Sequence, residues 1–145
     1  MNKDNKNIMM LYENAMQQPT MTVDRYGNKI WKLDGKRHRE DGPAFVLPNG
    51  DKTWYLHGKV HREDGPAHES VNGYKYWCLH GEFHREDGPA IENANGHKGW
   101  YLHGKRYEDV VAWAKALLKL KGINDPSEDQ INDKVQQVTS SSILD

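Results

Sequence analysis

A seven-residue word, HREDGPA, occurs three times, at His38 to Ala44, His61 to Ala67 and His84 to Ala90. Trp31, Trp54, Trp77 and Trp100 recur at the same interval of 23 residues. Each lies inside a second word, G-x-K-x-W-x-L-x-G, which begins at Gly27, Gly50, Gly73 and Gly96. A period this short cannot hold two helices and suits one β-hairpin per repeat, stacked on its neighbours. Asp34-Gly35, His57-Gly58, His80-Gly81 and His103-Gly104 can supply the two positive φ values of a tight hairpin turn. Asn49-Gly50, Asn72-Gly73 and Asn95-Gly96 mark the turns at the other end of the strands. Asp-Gly-Pro, as in Asp64-Gly65-Pro66, interrupts the returning strand, because proline lacks an N–H and restrains the residue before it.

With His57 and Gly58 as the loop, Leu56 pairs with Lys59, Tyr55 with Val60, Trp54 with His61, Thr53 with Arg62 and Lys52 with Glu63. Alternation then separates two faces. One holds the unchanging Trp54, Leu56 and His61, whose equivalents are expected to stack into the core. The other holds Ile30, Lys32, Arg37 and Arg39, then Thr53, Tyr55, Val60 and Arg62, then Tyr76, Cys78, Phe83 and Arg85, with Tyr101 and Arg106 completing the row. Lys29–Glu40, Lys52–Glu63 and Lys75–Glu86 are expected as cross-strand pairs, each contributing ~0.2–1 kcal/mol.

Both ends read as helical. Ile8, Leu11, Tyr12, Ala15 and Met16 share one helical face before Pro19. After Gly104 the pattern restarts, but Val110 replaces the expected Gly. Val110, Trp113, Ala114, Leu117 and Leu120 then recur at helical spacing until Gly122. Asp125-Pro126-Ser127-Glu128 opens a second helix, with Asp125 as cap residue and Ile131, Val135 and Val138 as its apolar stripe. The chain therefore divides into an N-terminal helix (1–20), hairpin repeats (21–107), a helical cap (108–138) and a flexible, Ser-rich tail (139–145). The fold class is mainly β, an elongated antiparallel hairpin repeat with helices at both ends.

Composition narrows the class further. The apolar fraction of 36% is too low for a large spherical core, yet five Trp and seven Tyr placed with a period exclude a disordered chain. A net charge of −1 leaves no field to hold a polyanion or an acidic membrane surface. The single cysteine, Cys78, excludes an internal disulfide framework and fits a reducing compartment. No apolar run is long enough to span a membrane, and the first twenty residues lack the apolar stretch of a signal peptide. A soluble, cytoplasmic protein is expected.

The half-motif G-x-K-x-W-x-L-x-G-K and its spacing resemble the MORN repeat, and Lys36-Arg37-His38 after Gly35 resembles that family's G-K-x-H stretch. The closer likeness is to the divergent YwqK antitoxin-like branch, and the HREDGPA units resemble small tailed-bacteriophage proteins. The chain departs from MORN downstream, where H-G-x-G would continue and HREDGPA stands instead. The resemblance covers about Tyr26 to Tyr107 and implies hairpins stacked into an elongated solenoid sheet.

Chemistry is sparse. His57/His61 and His80/His84 have helical ligand spacing, but on a hairpin the first of each pair is a loop residue and the second packs against Trp. No metal site or cofactor is expected, and Cys78 alone cannot build a zinc site. Three equal Arg-Glu-Asp units argue against catalysis, since a catalytic pair needs one particular environment. The expectation is a non-catalytic protein gripping a protein partner through Arg39, Tyr55, Arg62, Tyr76, Phe83, Arg85 and Tyr101, because Arg and aromatic side chains dominate interface energies. The resemblance makes that partner a host or defence factor and the protein a phage-encoded inhibitor in the host cytoplasm. The alternative is nucleic-acid or nucleotide binding by the same row, which a sequence pI near 6.7 disfavours. Another reading assigns each Arg to an acid of its own HRED unit and the rings to a second core layer. The terminal helices or an open edge strand offer a way for two copies to pair.

Overall fold

The computed structural model describes residues 2–140. Helix α1 (Lys3–Met16) leads into β1 (Thr20–Val23), β2 (Lys29–Leu33), β3 (Lys36–Arg37) and β4 (Phe45–Val46). The next repeat supplies β5 (Lys52–Thr53), β6 (Tyr55–Leu56), β7 (Lys59–Val60) and β8 (His68–Glu69). The third supplies β9 (Lys75–Tyr76), β10 (Cys78–Leu79), β11 (Glu82–Phe83) and β12 (Ile91–Glu92). Strands β13 (Lys98–Leu102) and β14 (Lys105–Tyr107) precede helices α2 (Val110–Leu120) and α3 (Glu128–Ser140). The architecture is mainly antiparallel β, with helices at both ends. A ten-stranded sheet runs β1-β2-β4-β5-β8-β9-β12-β13-β14 with β3 on β2, and β6-β7 and β10-β11 form short hairpins.

The hairpin tips fold as the sequence predicts. Asp34, His57, His80 and His103 have φ of 47–50°, and each following glycine has φ of 76–83°. Two consecutive positive φ values make a turn whose twist matches the strands. Tyr55 pairs with Val60 and Leu56 with Lys59, and the His61 N–H donates to the Trp54 carbonyl at 3.0 Å.

Beyond Trp54 the expected register ends. Thr53 pairs with His68 and Lys52 with Glu69, not with Arg62 and Glu63. The cause is the Asp-Gly-Pro bend, which carries the chain away from its own hairpin and brings Ala67 alongside. The Trp54 N–H donates to the Ala67 carbonyl at 2.8 Å, and the Ala67 N–H donates to the Tyr76 carbonyl of the next repeat at 2.8 Å. Ala44 and Ala90 bond in the same way, and all three alanines are fully buried. The expected Lys29–Glu40, Lys52–Glu63 and Lys75–Glu86 pairs therefore do not form. Instead Lys29, Val46, Lys52, Glu69, Lys75, Glu92 and Lys98 lie side by side across the sheet.

Successive repeats are also joined through their hairpins. The N–H groups of Gly58, Gly81 and Gly104 donate to the carbonyls of Arg37, Val60 and Phe83 at 2.8–2.9 Å. Those of Arg39, Arg62 and Arg85 donate to Tyr55, Cys78 and Tyr101 at 3.1–3.4 Å. The repeated histidine adds a side-chain link. Nδ1 of His38, His61 and His84 accepts the backbone N–H of His57, His80 and His103, each at 2.9 Å. The paired rings lie 4.1–4.5 Å apart. The three accepting histidines are buried, so each link gives a buried ring nitrogen a partner in the next repeat's exposed turn.

The apolar core is concentrated at the C-terminal end. Trp100 and Leu102 pack with Trp113, Ala114, Leu117 and Val138, and Tyr107, Val110, Ile131 and Val135 lie against them. Leu120, expected on the same stripe, is exposed. Asp109 caps α2 by accepting the Ala112 N–H at 2.8 Å. The cap of α3 is Ser127 rather than Asp125: Ser127 Oγ accepts the Gln130 N–H, and Gln130 Oε1 accepts the Ser127 N–H. Residues 139 and 140, expected in the tail, belong to α3; the rest of that tail, 141–145, lies outside the described residues, as do the side chains of Ala15 and Met16 on α1. Among the described residues no helix is long and apolar enough to cross a membrane.

Candidate functional site, a repeated arginine–tryptophan surface

The three interior tryptophans, Trp31, Trp54 and Trp77, are half-buried and each carries an arginine on its ring. The guanidinium carbons of Arg39, Arg62 and Arg85 lie 4.1, 3.9 and 3.8 Å from the respective ring centroids. Each Nε donates to the aspartate two residues on, Asp41, Asp64 or Asp87, at 2.9, 3.0 and 2.8 Å. Each guanidinium also donates to the carbonyl of Pro43, Pro66 or Pro89 at 3.0–3.2 Å. The glycine of HREDGPA makes room for this: a Cβ at Gly65 would sit 3.0 Å from the Arg62 guanidinium carbon. Arg62 also approaches Glu69 at 3.5 Å and Arg85 meets Glu92 at 3.1 Å, whereas the first repeat has Val46 at that position.

These contacts decide which charge the surface presents. The arginine side chains are only 19–24% exposed, while Asp41, Asp64 and Asp87 are 84–86% exposed. Glu40, Glu63 and Glu86 stand beside them, 3.4–3.7 Å from Nε2 of His38, His61 and His84. The Lys121 ammonium bonded to Glu86 holds that carboxyl below its usual range. Two clefts run between the acid rows. One, of about 660 Å³, has Trp54 and Leu56 as its floor, between Glu40-Asp41 and Glu63-Asp64. The other, of about 380 Å³, has Trp77 and Leu79 between Glu63-Asp64 and Glu86-Asp87.

The seven residues expected to form one binding row are split. Arg39, Arg62 and Arg85 line the tryptophan side, because the chain bends after Val60 and Phe83 and the guanidinium folds back over the ring. Tyr55, Tyr76, Phe83 and Tyr101 lie on the opposite side. There Tyr76 meets Phe83 at 5.5 Å and Phe83 meets Tyr101 at 5.1 Å, while His68 stacks on Tyr76 at 4.7 Å. The Tyr55 hydroxyl accepts from Arg37 at 3.2 Å, and Arg37 lies over Phe45. All four are half-buried. Burial pushes the Tyr76 hydroxyl up to about 12 and the Cys78 thiol up to about 12, so neither ionises near neutrality. His68 bonds Thr53 Oγ1 through Nδ1 at 2.9 Å, and burial lowers its pKa below the usual 6.5. This side is a packed aromatic layer. The acid rows and the Trp-Leu floors were not expected as a site; the signal was the threefold RED, which reads as ion pairs until the arginine is seen to be covered and the acids exposed.

Comparison with protein-family models, with curated proteins and with solved structures gave no match. Among the described residues no group of three or more His, Cys, Asp or Glu is placed to hold a metal ion.

Proposed function

We propose that this chain is a non-catalytic repeat protein that grips another protein along its tryptophan side. The observation that carries the reading is the threefold equivalence of the arginine-roofed tryptophans. Identical half-buried rings, each held with its arginine and flanked by fixed carboxylates, suit an extended contact made at several points with little ordering cost. The same acids count against nucleic acid, since exposed carboxylates repel phosphate and the arginines already have partners. We further propose that the repeats form an elongated MORN-like solenoid, a reading supported by the recurring bonds between hairpins. A scattering radius of gyration clearly above the ~15 Å of a compact chain this long is expected; a compact monomer would overturn it. On the resemblance to small tailed-bacteriophage proteins alone, we extend the reading to an inhibitor of a host or defence protein in the host cytoplasm.

The test is affinity capture from bacterial lysate, with mass spectrometry and nucleic-acid extraction of the eluate. Glu40→Lys with Glu63→Lys should abolish capture of a specific protein without changing the melting temperature. Capture that survives this pair but is lost with Tyr55→Ala and Phe83→Ala would move the site to the aromatic side. Nucleic acid as the sole specific eluate would overturn the protein reading.

A further inference from the structure

The two ends of the sheet are finished differently. At the C-terminal end, α2 covers the last rung. At the N-terminal end, β1 is an edge strand whose four residues, Thr20-Met21-Thr22-Val23, are all exposed, Met21 at 47% and Val23 at 57%. Edge strands are ordinarily protected by charge, proline, a bulge or a covering element. β1 has no charged residue, although its neighbour β2 has two lysines.

The direction of its outer main-chain groups, unpaired among the described residues, follows from the bonds of β2. The Trp31 N–H donates to Ala44 and the Trp31 carbonyl accepts from His38, so both point away from β1. Met21, directly opposite Trp31, is therefore in a non-hydrogen-bonded pair, and its own N–H and carbonyl point outward. Alternation turns those of Val23 outward as well. Met21 and Val23 flank Thr22 symmetrically, so the strand is close to self-complementary about that residue.

We propose that a second copy of this chain pairs with the first, β1 to β1 and antiparallel, with Thr22 opposite Thr22 at the two-fold axis. Met21 of each copy then exchanges two hydrogen bonds with Val23 of the other. Side-chain faces are preserved across such a pair, so Met21 and Val23 extend the Trp31 side and both tryptophan surfaces face the same way. Four hydrogen bonds alone make a small interface. The rest comes from α1, which ends just before β1 and exposes Ile8, Leu11 and Tyr12 on one helical face. The proposal does not depend on what the tryptophan side binds.

Thr22→Cys tests it in the full chain. A non-hydrogen-bonded antiparallel pair holds its Cα atoms about 4.5 Å apart, within reach of a disulfide. Mild oxidation should give a species of twice the 16.7 kDa chain mass, while the unaltered chain, whose only thiol is the buried Cys78, stays uncrosslinked. Thr22→Lys and Thr22→Glu should each be monomeric in sedimentation at concentrations where the unaltered protein is dimeric, and mixing the two should restore a dimer. That restoration separates loss of pairing from loss of folding. A chain that sediments as a monomer up to about 100 μM, or a dimer that neither crosslinks through Thr22→Cys nor dissociates in the charged variants, overturns the proposal.

Discussion

Trp77 and Trp100 hold the same place in consecutive repeats, yet one is only half-buried and the other is buried. The difference lies in what roofs the ring. Over Trp77 it is the Arg85 guanidinium, itself pinned to Asp87. Over Trp100 it is Trp113, whose ring centroid is 4.9 Å away. The switch is written at the position three residues after each hairpin-turn glycine and its successor. In three repeats the chain there reads His-Arg, and in the fourth it reads Tyr107-Glu108. With no arginine to fold back, the ring is left for a helix to cover, and Asp109, where the other repeats have Glu, caps that helix. One residue pattern thus gives a presented surface while its last copy gives a core.

The largest test of this contrast is truncation of each roofed or roofing ring. Trp113→Ala should cost about 3–5 kcal/mol in urea unfolding, as for a fully buried aromatic. Trp77→Ala should cost only about 1–3 kcal/mol, since part of that ring already meets water. Equal losses would mean that the arginine roof buries as well as the helix does. Trp113 also offers a conservative variant, because its buried indole N–H has no partner among the described residues. Trp113→Phe should stay within about 1 kcal/mol of the unaltered protein, as the change removes an unsatisfied donor.

Next in size is the link between repeats. His61→Phe keeps the ring but removes the acceptor for the His80 N–H, and it should cost about 1–3 kcal/mol. Amide exchange at His80 should accelerate far more than at His103, whose acceptor His84 is untouched. Uniform acceleration would show global loosening instead. Arg85→Ala should cost about 1 kcal/mol, the scale of a partly exposed cation–ring contact with an ion pair. It should also raise the solvent accessibility of Trp77 to acrylamide quenching and leave Trp100 unchanged.

The smallest effect is with pH. His68 has a lowered pKa in the fold, so its contribution is complete above the unfolded value of about 6.5 and is lost as pH falls toward the folded value. Glu86, lowered by Lys121, contributes above about 4.5 and loses that contribution as pH falls further. Melting temperature should therefore fall on acidification in two stages. His68→Asn should remove the first, and Lys121→Met should only reduce the second, to which the lowered carboxyls of Asp24 and Asp51 also contribute.

Much of the fold is legible in the sequence. The 23-residue period, the X-Gly tips and the alternation around them give the hairpins and the Tyr55–Val60 register, because a two-residue turn with two positive φ values leaves the flanking strands one pairing. The helical stripe after Val110 is local in the same sense. Of the candidate site, the sequence points to the three arginines but places them in the aromatic row. Strand alternation carries a residue to a face only while the strand lasts, and here it lasts two residues on either side of the tip.

The rest was decided between repeats. Period and turn chemistry by themselves determined where each 23-residue unit turns and that helices flank the repeats. Tertiary structure alone put Ala67 between Trp54 and Tyr76, moved Lys52 from Glu63 to Glu69 and gave each buried histidine the N–H of the next turn. These pairings join groups from neighbouring units, and identical units offer several equally good chemical partners. Backbone approach selects among them: a small, fully buried alanine stands where main chains bond on either side, and a glycine lets the arginine lie flat against the bend.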